Sequence, residues 1–132
     1  MTDTDIQLVQ KTYPKLKVMA PRLAKYFYNR IAELDSTLES LFQADSASNG
    51  AAFAELLDQG VASIEDPKSL LPEIKKLEAK LTYYNIKADC LNTIGVVFVD
   101  TLAFGFGNEF NAQIQNPWVN AYKEYAALFF AE

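Results

Sequence analysis

Apolar residues recur every three or four positions along most of the chain, a spacing that places them on one face of an α-helix. The first such stripe covers residues 6–16 and the second covers residues 23–31. Pro21 stands between them and suits the first turn of the second helix. Ser36 and Glu39 have the spacing of a capping box, which predicts a short helix that ends near Phe42.

The middle of the chain predicts a loop and then two more helices. Residues 43–50 are rich in Ser, Asp, Asn and Gly, a composition typical of a loop. A helix is expected over residues 51–64. The pair Asp66-Pro67 can cap and start the next helix, which is expected to end near Tyr83.

The last part of the chain predicts two long helices that pack against each other. One covers residues 91–102 and stops near Gly105 and Gly107, which are typical helix-ending residues. The other either starts at Asn116-Pro117 or begins upstream and is kinked by Pro117. No strand pattern, repeat or linker is visible, so the sequence predicts a single all-α domain of six to eight helices over residues 1–132. The last two helices are expected to form an antiparallel pair.

Composition and charge exclude several kinds of partner. The chain carries a net charge of -5 and has a sequence pI near 4.7, so no extended basic surface is expected to bind nucleic acid. The longest apolar run covers residues 94–99 and is too short to span a membrane, and the N-terminus lacks the pattern of a signal peptide. Cys90 is the only cysteine. We therefore expect a cytoplasmic protein without a disulfide.

The chemistry of hydrolases and transferases is not visible in this sequence. The chain has no histidine, no glycine-rich phosphate loop and no cysteine pair for zinc. Its carboxylates are scattered at the spacing of surface residues. These observations predict a protein that is not an enzyme.

Four segments, in their order and spacing, resemble bacterial single-domain and flavohaemoglobin-type globins. Residues 27–34 (FYNRIAEL), followed by Leu41-Phe42, are similar to the second helix of these globins and the loop after their third. Residues 70–80 (LLPEIKKLEAK) are similar to the helix that leads to their iron ligand. Ile94-Gly95 and residues 118–122 fall at matching places in the last two helices. The resemblance implies a globin-like fold.

The resemblance implies that this chain lacks the iron ligand of the family but has two of the residues that line its haem pocket. Leu81 stands where the family has its proximal histidine, and leucine cannot bind iron, so haem is not expected. Tyr28 matches the distal tyrosine, and Phe42 matches the phenylalanine that packs on the macrocycle. Both aromatic residues could instead be ordinary core residues.

Cys90 introduces a second resemblance, to phycobiliproteins, which attach a linear tetrapyrrole (bilin) through a cysteine thioether. Cys90-Leu91-Asn92 is similar to the tripeptide around such a cysteine, although Thr93 replaces the aspartate that those proteins place three residues later. The alternative is an inert, partly buried thiol at the start of a helix.

A globin-like sequence without the iron ligand resembles the haem-free globins that are associated with bilin biosynthesis in cyanobacteria and algae. This resemblance implies a carrier or regulator in bilin metabolism that binds phycocyanobilin or biliverdin, mostly without a thioether, and has bilin-synthesis enzymes as partners. The expected pocket wall consists of Tyr28, Phe42, Leu81, Tyr84, Cys90 and Ile94. Lys80 or Lys87 would meet the propionates.

Two other functions stay open. The chain could be a haem-free sensor or interaction domain whose pocket is collapsed or holds a fatty-acid-like ligand. It could also bind haem through Tyr83, Tyr84, Cys90 or a lysine.

Overall fold

A computed structural model describes residues 1–36, 38, 46–83 and 85–130, and of residues 46–52 it describes the backbone alone. In this part of the chain there are six α-helices and two short 3-10 helices. The α-helices are α1 (Asp3–Lys17), α2 (Ala20–Leu34), α3 (Ser46–Ala62), α4 (Leu71–Tyr83), α5 (Cys90–Phe106) and α6 (Ala112–Ala126). The 3-10 helices, Pro67–Leu70 and Gly107–Glu109, precede α4 and follow α5. The described residues contain no strand, as predicted.

Two of the described helices, α1 and α6, begin where a side chain binds a free amide group of the first turn. At the start of α1, the Thr2 hydroxyl accepts from the Asp5 amide at 3.1 Å, and the Thr2 amide donates to the Asp5 carboxylate at 3.0 Å. Pro21 lies in the first turn of α2, as its sequence position predicts. At the start of α6, the Asn111 side chain accepts from the Ile114 amide at 3.1 Å.

Two helix starts differ from the sequence prediction, those of α3 and α4, and the sequence leaves the start of α6 open between two positions. α4 begins at Leu71, because the 3-10 helix Pro67–Leu70 takes the place of its predicted first turn. Residues 46–50, predicted as loop, form the first turns of α3, because the weak helix propensity of Ser, Asn and Gly is overridden when a helix is anchored by buried residues such as Phe53. α6 begins at Ala112, so of the two predicted alternatives the start at Asn116-Pro117 is wrong and the helix that begins upstream and contains Pro117 is confirmed. The remainder of the predicted loop, and most of the short helix predicted over residues 36–42, lie outside the described residues.

α5 and α6 form the predicted antiparallel pair. Near the start of α5, the carbonyl of Leu91 accepts a hydrogen bond from Tyr122 of α6, and near its end Phe106 packs against Trp118. Contacts in this reversed order can occur only when the two helices run in opposite directions. α2 also packs along α5, while α1 packs mainly on α6.

α5 is the most apolar helix of the described fold. The stretch Cys90–Glu109 has a mean hydropathy of 1.5 over its most apolar window, so by length and composition alone it could cross a membrane, although only 33% of that window is buried. Core helices of water-soluble proteins meet the same criterion, and α5 packs against α1, α2 and α6. We therefore assign α5 to the core of the fold.

Candidate functional site

A cavity of about 300 Å³ lies among the helices, and its described wall is almost entirely apolar. α2 to α6 supply most of the wall, and α1 contributes Val9. The amphipathic stripes of the helices point toward this space, so the residues that build the core also build the cavity. Prominent wall residues are Phe27 and Tyr28 of α2, Phe53 of α3, Leu81 of α4, Ile94 of α5 and Trp118 of α6.

The polar groups that α6 brings to the wall bind other parts of the protein. The Tyr122 hydroxyl donates to the Leu91 carbonyl and the Tyr125 hydroxyl donates to the Gly60 carbonyl, each at 2.6 Å. The Trp118 indole N–H donates to the Thr12 hydroxyl at 2.9 Å. These groups therefore present their ring faces, and not free donors, to a ligand.

Tyr28 is a half-buried phenol in the aromatic part of the wall. Its ring meets the ring of Phe27 edge to face with centroids 5.5 Å apart, and that of Phe53 with centroids 6.1 Å apart. Burial raises the pKa of Tyr28 to about 12. The hydroxyl is therefore protonated at neutral pH.

Lys80 is the only cation of the described cavity wall, and its side chain is exposed. A residue that both lines a cavity and contacts solvent stands at the mouth. Lys80 forms no ion pair with any side chain that the structure describes, whereas Lys75 pairs with Glu78 and Lys76 pairs with Glu73. An anionic group of a ligand at the mouth would therefore meet a cation that no described carboxylate neutralises.

Of the predicted site residues, Tyr28, Lys80, Leu81 and Ile94 line this cavity. Leu81 is buried in its wall, with 5% of its surface exposed. Phe42 and Tyr84 lie outside the described residues, so their predicted positions remain predictions.

Lys87 and Cys90 do not line the cavity, because both belong to a separate polar depression of about 440 Å³. Asn85, which has a left-handed backbone with φ 61°, turns the chain between α4 and α5 and carries Lys87 to this other side. Burial, followed by the charges of Asp89 and Asp35, raises the pKa of the Cys90 thiol. The described part of the chain holds no group of three metal-binding His, Cys, Asp or Glu side chains.

The aromatic residues of α6 are the main part of the wall that was not predicted to belong to the site. Trp118, Tyr122 and Tyr125 recur at helical spacing, and their inward direction follows from that spacing. What the sequence does not show is that this inward face borders an open volume and not only other side chains.

No family model matches the chain. It is 23% identical over 132 residues to a flavohemoprotein of Vibrio cholerae, a match that covers 98% of this chain and 34% of that protein. It is 25% identical over 124 residues to a flavohemoprotein of Bordetella parapertussis, covering 92% of this chain and 31% of that protein. The chain thus spans about a third of the length of these curated relatives.

Among solved structures, the fold matches an engineered carbene transferase made from a protein described as a nitric oxide dioxygenase of Rhodothermus marinus. The TM-score is 0.86 with 19% sequence identity, and the match covers 98% of this chain and 90% of the other. At this level of identity the match shows a shared fold.

These comparisons correct two expectations and leave a third without support. The prediction that the cofactor is a bilin and not haem is wrong, because the named relatives are flavohemoproteins and point to haem and flavin. The prediction that the protein is not an enzyme is contradicted, because the matched structure is named as a transferase derived from a dioxygenase. The relation to phycobiliproteins, bilin biosynthesis and cyanobacteria finds no support among the matches.

The described wall does not fit the iron of a haem. Haem proteins hold iron through His, Cys, Met or Tyr, and the chain has no histidine. Tyr122 and Tyr125 donate to main-chain carbonyls, and burial raises the pKa of both phenols, the opposite of what a tyrosinate ligand needs. Leu81 carries no donor atom.

Proposed function

We propose that this chain, which has the globin fold that its sequence predicts, binds a slender apolar ligand with a terminal carboxylate in the cavity, with Lys80 at the mouth. One observation carries the proposal: the described wall is apolar, and its one cation, Lys80, is exposed at the mouth and forms no ion pair with a described side chain. A fatty acid of medium length has this chemistry.

The volume supports a slender ligand. If a methylene group takes about as much room as a water molecule in the liquid, roughly 30 Å³, a cavity of about 300 Å³ has room for about ten of them. Burial of each methylene contributes about 0.8 kcal/mol before the cost of immobilising the ligand is subtracted. A ten-carbon acid can therefore bind through apolar contacts, while Lys80 sets the orientation of its charged end.

Titration of decanoate and decanol, followed by calorimetry, tests the role of Lys80. We expect Lys80→Gln to weaken decanoate binding by about three- to tenfold, the scale of a surface charge interaction of about 1 kcal/mol, and to leave decanol binding unchanged. Lys76→Gln is the matched control, because Lys76 lies on the same helix but pairs with Glu73 and does not line the cavity. Equal effects of both variants would contradict the assignment of Lys80.

Hemin must be titrated in parallel because the named relatives are flavohemoproteins. A sharp Soret band at one-to-one stoichiometry that decanoate cannot displace would overturn the proposal. Displacement of a fluorescent acyl probe by decanoate, together with no stoichiometric Soret band, would support it.

A further inference from the structure

The ring of Tyr122, on α6, packs against α5 at Gly95. A Cβ at Gly95 would lie 3.0 Å from Cε1 of Tyr122, 3.5 Å from Cζ and 3.6 Å from the hydroxyl oxygen. Carbon atoms in favourable contact are about 3.5–4.0 Å apart, so the ring already occupies the space that a side chain at position 95 would need. The absent side chain leaves a notch in α5, which we call the Gly95 notch, and it receives the hydroxyl end of Tyr122.

The Gly95 notch lies on the face of α5 that borders the cavity. Leu91, Ile94 and Phe98 line the cavity. Gly95 is four residues after Leu91 and three before Phe98, so it shares their face of the helix. Gly95 itself is not part of the described wall, whereas Tyr122 is. The ring of Tyr122 therefore covers Gly95 and forms the wall of the cavity at this point.

Two contacts hold the ring of Tyr122 in the Gly95 notch. Its hydroxyl donates at 2.6 Å to the carbonyl of Leu91, about one turn before Gly95. Its ring stacks on that of Phe98, about one turn after Gly95, with centroids 5.4 Å apart and an angle of 24° between the planes. Because these contacts confine the ring along α5, a side chain at position 95 would push the ring away from the helix and into the cavity.

We propose that Gly95 sets the length of the ligand that the cavity accepts, because it determines how far the ring of Tyr122 stands out into the cavity. This inference rests on the proposed function, the binding of an apolar chain with a terminal carboxylate. With the ring in the Gly95 notch, the cavity of about 300 Å³ has room for roughly ten methylene groups. The ligand class is therefore an unbranched acid of about ten carbons, and a side chain at position 95 shortens the acid that fits.

Gly95→Ala tests this role with the smallest side chain. The resulting contact of 3.0 Å is about half an ångström shorter than a favourable one, so the ring must recede by about that distance. We expect the cavity to lose room for about one methylene group. Since burial of one methylene group corresponds to about fourfold in affinity, decanoate should lose about fourfold relative to octanoate. Calorimetric titration measures the dissociation constants of both acids.

Two further variants separate an effect on ligand length from a general loss of stability. Val96→Ala introduces the same residue one position further along α5, where the native side chain is 56% exposed and is not part of the described wall. It should leave the ratio of the two dissociation constants unchanged. Tyr122→Leu removes the ring, so dodecanoate should gain relative to decanoate, and Gly95→Ala in this background should leave the ratio for decanoate and octanoate unchanged.

Octanol and decanol, titrated beside the acids, distinguish failure of this inference from failure of the proposed function. The inference is overturned if Gly95→Ala does not change the ratio between the ten- and eight-carbon ligands, if Val96→Ala changes it equally, or if Gly95→Ala keeps its full effect without the ring of Tyr122. Where circular dichroism shows that Tyr122→Leu does not fold, the comparison of Gly95→Ala with Val96→Ala decides alone.

The alcohols depend on the volume of the cavity but not on a charge at its mouth. If the alcohols bind with the expected dependence on Gly95 while the acids do not bind, the proposed carboxylate ligand is overturned and the role of Gly95 is supported. If neither series binds the native chain, both proposals are overturned. A fourfold change of the ratio in Gly95→Ala, absent from Val96→Ala, supports the inference.

Discussion

At the scale of single residues, the cavity depends on phenols that are kept neutral. Tyr28 and Tyr125 are buried far enough to raise the pKa of each to about 12, and burial raises the pKa of Tyr122 as well. Two of these hydroxyls also tie helices together through main-chain carbonyls. The sequence identified Tyr28 as a pocket residue, but it could not identify the partners of Tyr122 and Tyr125, because those depend on how the helices pack.

The raised pKa values predict a loss of stability in alkaline solution. An unfolded tyrosine ionises near pH 10 and the folded Tyr28 and Tyr125 near pH 12. Their contribution to folding is therefore full below pH 10 and is lost as the pH rises toward 12. Urea denaturation at a series of pH values should show the midpoint falling in this window. Tyr125→Phe should have a smaller fall than the native chain, and a midpoint independent of pH would contradict the assignment.

At the scale of helices, the sequence predicted which segments are helical better than where they begin. Periodic apolar stripes located every α-helix of the described chain, because burial of one face stabilises a helix of this length. Pro117 leaves the start of α6 open between two positions, and the structure shows the upstream one, where Asn111 caps the helix and Pro117 costs one interior hydrogen bond. Burial of Pro117 and Trp118 offsets that cost, and such packing is not visible in a local pattern.

Two glycines give a matched test of helix packing. At Gly105 of α5, a Cβ would lie 2.6 Å from Leu16 and 3.0 Å from Leu23, both almost fully buried, whereas at Gly60 of α3 it would meet no atom within 4 Å. At Gly105, the steric cost of the added methyl group exceeds the gain in helix propensity, so we expect Gly105→Ala to destabilise the protein by about 1 kcal/mol. Gly60→Ala should stabilise it by about 0.5–1 kcal/mol. Chemical denaturation measures both, and equal stabilities of the two variants would show that α5 does not approach α1 and α2 so closely.

At the scale of the whole molecule, the order of helical segments and a few aromatic residues were enough to predict the globin fold. Tyr28, Lys80, Leu81 and Ile94 line the cavity and lie on helices with clear periodicity, while their role in binding a ligand stays a prediction. Cys90, which the sequence predicts in the wall, and Lys87, which it predicts at the rim, line the separate polar depression instead, on either side of the turn that follows Asn85. The occupant of the cavity was predicted from resemblance alone, and the named relatives do not support that prediction.

The hydrogen bond from Trp118 to Thr12 joins α6 to α1, and the same indole lines the cavity. Trp118 is the only tryptophan of the chain, and 3% of its surface is exposed. Fluorescence excited selectively at tryptophan therefore comes from a single buried indole. Its emission reports directly on entry of a ligand into the cavity, without any added label.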